Sequence, residues 1–348
     1  MERMEIVLAE DSPIGKAGQK VTLALSPSDV HVAEEMSTYL AGYNVPNYRA
    51  DEASKIILVD VDEDKYRSMS SDDAFKPVHV KASHQQRVPE VDAKTELLSY
   101  KVVDRLVGAF VPTVTELNAV KAFKPRQAAM QRCKRALQID RELDVWTLLT
   151  TSGSWNANNV VTLAAGFQWN GGASSDPIFD LMTIADRSVM SPVEFWMNQK
   201  VANYFIRHDK VRDHFRFMNG DAAMASTIQS LNEASAVNRM IDFVIPAVGV
   251  VHVCGAKYRN AAGSIVPFLG DSYVVATHSP PGVPTSGEDI ASTFTFRRKG
   301  PSGTGFETRE FFVNDRGPLG GTMIVTSMAD IAKMTSTVVG GLISGVIQ

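Results

Sequence analysis

The chain has 348 residues, 44% hydrophobic and 21% charged, with 35 Lys and Arg against 39 Asp and Glu and a formal net charge of −4. This apolar fraction excludes global disorder, and the near-neutral balance argues against a chain built around nucleic-acid affinity. No apolar run approaches the roughly 18–20 residues of an ordinary membrane-spanning helix.

Residues 1–50 are punctuated by Pro13, Gly15, Gly18, Pro27, Gly42 and Pro46. Acidic residues surround the short Ile6–Ala9 run, so the basic start and long apolar core of a signal peptide are missing and the cell interior is the expected compartment. Ser26-Pro27-Ser28-Asp29 reads as a helix start, with Val30, Ala33, Met36 and Leu40 at helical spacing. This stretch has too little apolar surface for its own core and is expected to lie over something else.

Lys55–Val61 (KIILVDV) reads as a strand, and Pro77–Ala82 (PVHVKA) as a second, joined through the polar Asp62–Phe75 as a protruding hairpin. A two-stranded hairpin is marginal alone and needs a partner surface, which points to assembly. Glu96–Leu117 reads as a helix ending near Pro112. Pro125 fits the first position of a helix that runs to about Thr151 without another Gly or Pro, with Gly153 closing it. Its apolar positions are Met130, Cys133, Ala136, Leu137, Ile139, Leu143, Trp146 and Leu149. At 1.5 Å per residue it is about 39 Å long, enough for a structural axis.

A linker with Trp155 and Trp169 leads to a helix opened by Asp176-Pro177, where Asp176 is a good N-cap. Val193–Met197 reads as a strand, followed by a helix through Val201, Tyr204 and Phe205 with a charged His208-Asp209-Lys210 end. Strands are then expected at 243–245, 250–253, 265–267, 273–276 and 321–326, and over the runs at 338–339 and 342–343. Helices and strands are interspersed without an internal repeat, so the class is α+β.

No motif carries chemistry. His208 and His214 are six apart, wrong for one helical face, and the other histidines (His31, His79, His84, His252, His278) are scattered. Gly300–Gly305 lacks the Gly-Lys-Ser/Thr ending of a phosphate loop and reads as a hairpin tip. There is no GxSxG, and Cys133 and Cys254 read as two buried free thiols, although one distant disulfide stays arithmetically open. The acidic run Asp60, Asp62, Glu63, Asp64 lacks the loop of an EF-hand and reads as solvated. Arg126, Arg132, Lys134, Arg135 and Arg141, offset by Asp140, Glu142 and Asp144, read as a salt-bridged helix surface.

The order of pieces resembles the major capsid protein of tailed bacteriophages, of the Hong Kong 97-type fold and its lambda-like branch. The residues that carry the likeness are Phe167-Gln168-Trp169, Ser175–Ile178, Pro192–Met197, His208–Val211 and Gly340–Ser344. The resemblance implies an N-arm (1–50), an E-loop hairpin (51–98), a peripheral domain (99–189 and 321–348, with the spine helix at about 125–151) and an axial domain (190–320). It implies inter-subunit contacts through Ile57, Val59, Tyr66, Phe75, Val78 and Val80, and spine-helix packing through Met130, Leu137, Leu143 and Trp146. It also implies a subunit without catalytic residue, metal or cofactor. Such subunits form hexamers and pentamers of an icosahedral head that encloses double-stranded DNA without reading its sequence. A scaffolding fusion before the arm is absent, so a separate scaffolding protein is expected, with a portal and a decoration protein as further partners. The expected location is the virion, after assembly in the host cytoplasm, with no membrane. Two alternatives stay open, an encapsulin-like bacterial nanocompartment shell and a cytoplasmic enzyme with a dispersed site.

Overall fold

The computed structural model describes residues 4–7, 20–23, 31–32, 48–68, 96–119, 124–171, 174–190, 193–214, 243–245, 248–280, 290–300, 305–316 and 319–347. In chain order the elements are β1 (Met4–Val7), β2 (Lys20–Leu23), β3 (His31–Val32), α1 (Ala50–Ala53), β4 (Lys55–Val59), β5 (Glu63–Ser68), β6 (Glu96–Lys101), β7 (Val103–Pro112), α2 (Thr113–Leu117) and α3 (Pro125–Thr150). There follow β8 (Val160–Thr162), α4 (Pro177–Arg187), β9 (Glu194–Asn198), α5 (Gln199–Arg207), β10 (Phe243–Ile245), β11 (Gly249–Cys254), β12 (Lys257–Arg259), β13 (Ile265–Pro267) and β14 (Tyr273–Thr277). The chain closes with β15 (Thr293–Arg298), β16 (Phe306–Val313), β17 (Gly321–Met334) and β18 (Gly341–Ser344). The class is α+β, and no helix among the described residues is long and apolar enough to cross a membrane.

The chain divides into two units: Met1–Asn44, Arg105–Leu137 and Gly300–Met328 form the first, and Val45–Asp104, Gln138–Lys299 and Ala329–Gln348 the second. The larger, second unit is built on a mixed sheet of order β10-β11-β9-β14-β18-β8. Its strands are apolar on both faces because both are covered. Phe195 and Met197 of β9, Val274 and Ala276 of β14, and Ile343 of β18 meet Ile178, Leu181 and Ile184 of α4 and Val201 and Phe205 of α5. Their neighbours Trp196, Val275 and Leu342 point the other way, onto Val145, Trp146 and Leu149 of α3. The period of two thus sorts one apolar run between two cores.

Local signals place the helices of this layer. Asp176 caps α4 by accepting from the Phe179 amide at 3.2 Å, with Pro177 in the first turn. Asn198 caps α5, accepting from the Val201 amide at 2.8 Å. Gly153 does not close α3: it adopts no positive φ and lies in a 3-10 turn. The last carbonyls of α3 are met instead by Thr150, which donates to Trp146 O at 2.7 Å, and Thr151, which donates to Thr147 O at 2.7 Å.

Also in the second unit, β15 pairs parallel with β4 and antiparallel with residues 330–334 of β17. Beside it β5 and β6 form an antiparallel ribbon, Tyr66 opposite Leu98 and Ser68 opposite Glu96. The expected pairing of 55–61 with 77–82 is corrected in part. Lys55–Val59 belongs to the core sheet, and Glu63–Ser68, expected as polar tip, is a strand; Pro77–Ala82 lies outside the described residues. The helix expected over Glu96–Leu117 is also corrected, since β6 and β7 occupy it and only Thr113–Leu117 is helical. Four valines and five aromatic or leucine residues between 97 and 111 favour the extended chain, and Arg105, Val107, Ala109 and Val111 alternate inward on β7.

The first unit contains β1 paired with β2, β3 paired with β16, and β16 paired with residues 321–328 of β17. The expected helix after Ser26 meets a strand at His31–Val32; its other residues lie outside the described ones. Among the described residues β15 pairs with residues 330–334 of β17 and β16 with residues 321–328, and residues 301–304 of the expected hairpin tip lie outside the described ones. Met130 packs with Ala129, Val111 and Ile324, and Leu137 with Phe306 and Met328. The helix α3 starts in this unit and ends in the second.

The buried stripe of α3 corrects the surface reading of its charges. Positions 129, 130, 133, 134, 137, 141, 142, 145, 146 and 149 are buried, a run of threes and fours that includes Lys134, Arg141 and Glu142. Lys134 sits 4.8 Å from the Phe306 ring centroid. Cys133 and Cys254 are both buried and free, as expected, and burial pushes the Cys133 thiol up to about 11, out of the reactive range.

Candidate assembly surfaces

The residues just before the core strand β4 are fastened one after another to the second unit. Tyr48 packs edge-on against Phe268 with ring centroids 5.5 Å apart. Arg49 Nη1 lies 3.5 Å from His252 Nδ1. Ala50 N donates to Glu142 Oε1 at 2.8 Å, and Asp51 pairs with Arg141 and, at 3.8 Å, with Arg297. Ser54 Oγ meets Thr295 Oγ1 at 2.9 Å. This strap fixes the entry to β4.

The ribbon β5–β6 has one face turned inward and one outward. Tyr66 and Tyr100 are buried against Phe296, Tyr100 stacked at 4.3 Å and Tyr66 tilted at 5.3 Å. On the opposite face Leu97 is 60% exposed, opposite Arg67. Leu106 of β7 is similarly open at 56%. Each such side chain would contribute about 1.5–3 kcal/mol if a neighbouring molecule covered it fully.

Of the expected inter-subunit residues, Tyr66 is buried with Phe294 and Phe296 in the chain's own core, and Ile57 and Val59, on the edge strand β4, are partly buried against the same cluster. Tyr66 is only 7% exposed, so its side chain serves the chain's own core. Phe75, Val78 and Val80 lie outside the described residues. Met130, Leu137 and Trp146 of the spine helix are buried, and Leu143 is half-buried beside Trp146. Leu97 and Leu106 escaped the sequence reading because a helix was expected there; the outward parity of β6 and β7 is the signal that identifies them.

A second open surface lies on α4, where Phe179 (66% exposed) and Met182 face solvent over a depression of about 470 Å3 rimmed by Asp176, Lys210 and His214. Lys210 Nζ pairs with Asp176 Oδ2 at 3.1 Å. Burial lowers the pKa of His208 beside it, so its ring stays neutral at neutral pH. Among the described residues no three His, Cys, Asp or Glu side chains come together as metal ligands.

Residues 154–287 match the family model described as phage major capsid protein E. No curated protein is similar in sequence. Among solved structures, a phage-related protein of Bordetella bronchiseptica RB50 is similar with a TM-score of 0.63 at 16% identity, over 90% of this chain and 97% of that one. The chain assigned as a prophage capsid protein of E. coli CFT073 gives 0.55 at 12% identity, over 90% of this chain and 99% of the other. A capsid chain of cyanophage P-SCSP1u gives 0.52 at 10% identity, over 87% and 91%. The chain therefore has the Hong Kong 97-type capsid fold, and the match to the family model is confined to residues 154–287.

Proposed function

We propose that this chain is a major capsid protein, which builds hexamers and pentamers that close an icosahedral head shell around phage double-stranded DNA. The observation that carries this reading is the two-faced ribbon β5–β6, which buries Tyr66 and Tyr100 at home and leaves Leu97 to solvent. Covering that outer face on a neighbouring subunit offsets the entropy of ordering an excursion that cannot bury itself. In this reading the E-loop takes in both strands of the ribbon, residues 1–50 are the N-arm, and peripheral and axial domains complete the subunit as the resemblance implies. The role is structural, without catalysis. A net charge of −4 limits attraction to the enclosed DNA by counterion release. Scaffolding, portal and decoration proteins are the partners implied, with assembly in the host cytoplasm and the virion as destination.

Negative-stain microscopy of the purified protein tests this. Closed shells or hexameric capsomers are expected, and a monodisperse monomer under every assembly condition would overturn the reading. Replacing residues 69–95 with a short Gly-Ser turn is expected to leave a folded subunit that no longer forms shells. Normal shells from that variant would remove residues 69–95 from the mechanism.

A further inference from the structure

The hairpin β12–β13 is a rigid tooth with a cationic and apolar outer face. Lys257 stands opposite Pro267, Tyr258 opposite Val266 and Arg259 opposite Ile265. Alternation turns Tyr258 inward, where it stacks on Phe268 at 4.9 Å, and leaves Lys257, Arg259 and Ile265 exposed, Ile265 at 67%. The tip is locked: Ser264 N donates to Asn260 Oδ1 at 2.9 Å, Asn260 N to Ser264 O at 2.9 Å and Gly263 N to Asn260 O at 2.9 Å, with Gly263 at φ +79. Neither Lys257 nor Arg259 has an ion-pair partner among the described residues. A rigid surface of this kind loses little entropy on docking.

The same unit carries a complementary stretch at the root of the ribbon. Asp60 and Asp64 are exposed and have no cation partner among the described residues, whereas Asp62 pairs with Arg298 and Glu63 with Lys101. Leu58 (49%) and Val61 (51%) are exposed beside them. Two unpaired cations beside an open isoleucine thus match two unpaired anions near an open leucine and valine. Within one chain they are not joined to each other.

We propose that the outer face of β12–β13 docks on the Asp60–Asp64 stretch of a second copy of this chain. The contact is heterologous, so it propagates around a ring, and it rests on the shell-building reading above. The charges set register and salt dependence, and the Ile265 contact excludes water between them.

A charge-swap series tests it, with the full chain assembled in vitro and followed by light scattering and microscopy. The pair K257E/R259E and the pair D60K/D64K are each expected to raise the critical concentration for assembly about tenfold. Combining all four is expected to recover most of that loss, and wild-type assembly is expected to weaken as NaCl screens the contact. All the changed side chains are exposed, so unchanged thermal unfolding of the unassembled subunits serves as the folding control. A four-fold variant no better than the poorer pair would overturn the proposal while leaving the shell reading intact. So would K257E/R259E shells that form normally but no longer retain nucleic acid, a result that would assign the tooth to phosphate. Wild-type protein that never associates would overturn both.

Discussion

Arg141 and Arg297 converge on one oxygen of one carboxylate. Arg141 Nε lies 3.0 Å and Arg297 Nη2 3.2 Å from Asp330 Oδ2, and all three side chains are at least 93% buried. Asp51, half exposed on α1, supplies the second negative charge to the same pair of guanidiniums. Burial, followed by the neighbouring Arg297, brings the Arg141 pKa down to about 9, against the pull of Asp330 and Glu142. Spine helix, strap and the strands β15 and β17 therefore meet at a charge cluster, not at an apolar contact.

Removing the shared carboxylate leaves two guanidiniums facing each other with one half-exposed partner. Asp330→Asn is expected to cost about 3–5 kcal/mol in urea unfolding of the unassembled subunit, as breaking a buried pair does. Arg297→Met keeps the Arg141–Asp330 pair and fills the space, so its cost is expected to be clearly smaller. Equal costs for the two variants would mean that packing, not charge, holds this junction.

Glu142 gives a pH signature. Its carboxylate is buried, which raises its pKa above the ordinary value, against hydrogen bonds from Ala50 N and Trp146 Nε1 and the charge of Arg141. A carboxyl that holds its proton more tightly when folded contributes stability below its unfolded pKa. That contribution is lost as pH rises through the folded pKa. Glu142→Gln cannot accept from both donors, so it is expected to be less stable at acid pH by about 1–3 kcal/mol. The deficit should then shrink as pH rises above the usual carboxylate range. A deficit that grows with pH instead would contradict the burial-dominated shift.

Much of this architecture is legible in the sequence wherever a local signal and the tertiary environment agree. Pro125 and the Gly- and Pro-free run after it mark α3, and Asp176-Pro177 marks α4, because capping chemistry acts over three or four residues. Lys134, Arg141 and Glu142 were misplaced because a charged side chain reads as surface. Their helical phase with Met130, Leu137 and Trp146 was the available contrary signal. The ribbon was misread for a different reason: β5 is polar in sequence, and its partner β6 lies beyond residues 69–95, so the pairing is set by distant contacts. A reading of periodicity cannot see which strand completes another across such a distance.

Glycine tolerance should follow close approach of the backbone. A Cβ on Gly341 would lie 2.4 Å from the Asn159 carbonyl oxygen, whereas one on Gly166 meets nothing within 4 Å despite φ +96. Gly341→Ala is expected to cost about 3 kcal/mol, at the upper end for overpacking. Gly166→Ala is expected to cost about 1–2 kcal/mol from backbone strain alone. Denaturant midpoints of the two unassembled variants compare them directly, and a reversed order would refute the packing of β18 against the turn before β8.

Tyr66 and Leu97 lie on opposite faces of one ribbon, which separates folding from assembly by two substitutions. Tyr66 is buried against Phe296 and its hydroxyl donates to Met334 O at 3.3 Å, so Tyr66→Ala is expected to lose about 3–5 kcal/mol of subunit stability. Leu97→Ser, on the solvent face, is expected to change unfolding of the isolated subunit by no more than about 0.5 kcal/mol. If a neighbouring subunit covers Leu97, the same change removes up to about 1.5–3 kcal/mol per contact and raises the critical concentration for shells at least about tenfold. Unfolding curves and light-scattering titrations of both variants give the two axes. A Leu97→Ser protein that unfolds and assembles as the wild type does would leave the outer face of the ribbon without a role in the shell, and the exposed leucine would then be an ordinary surface residue.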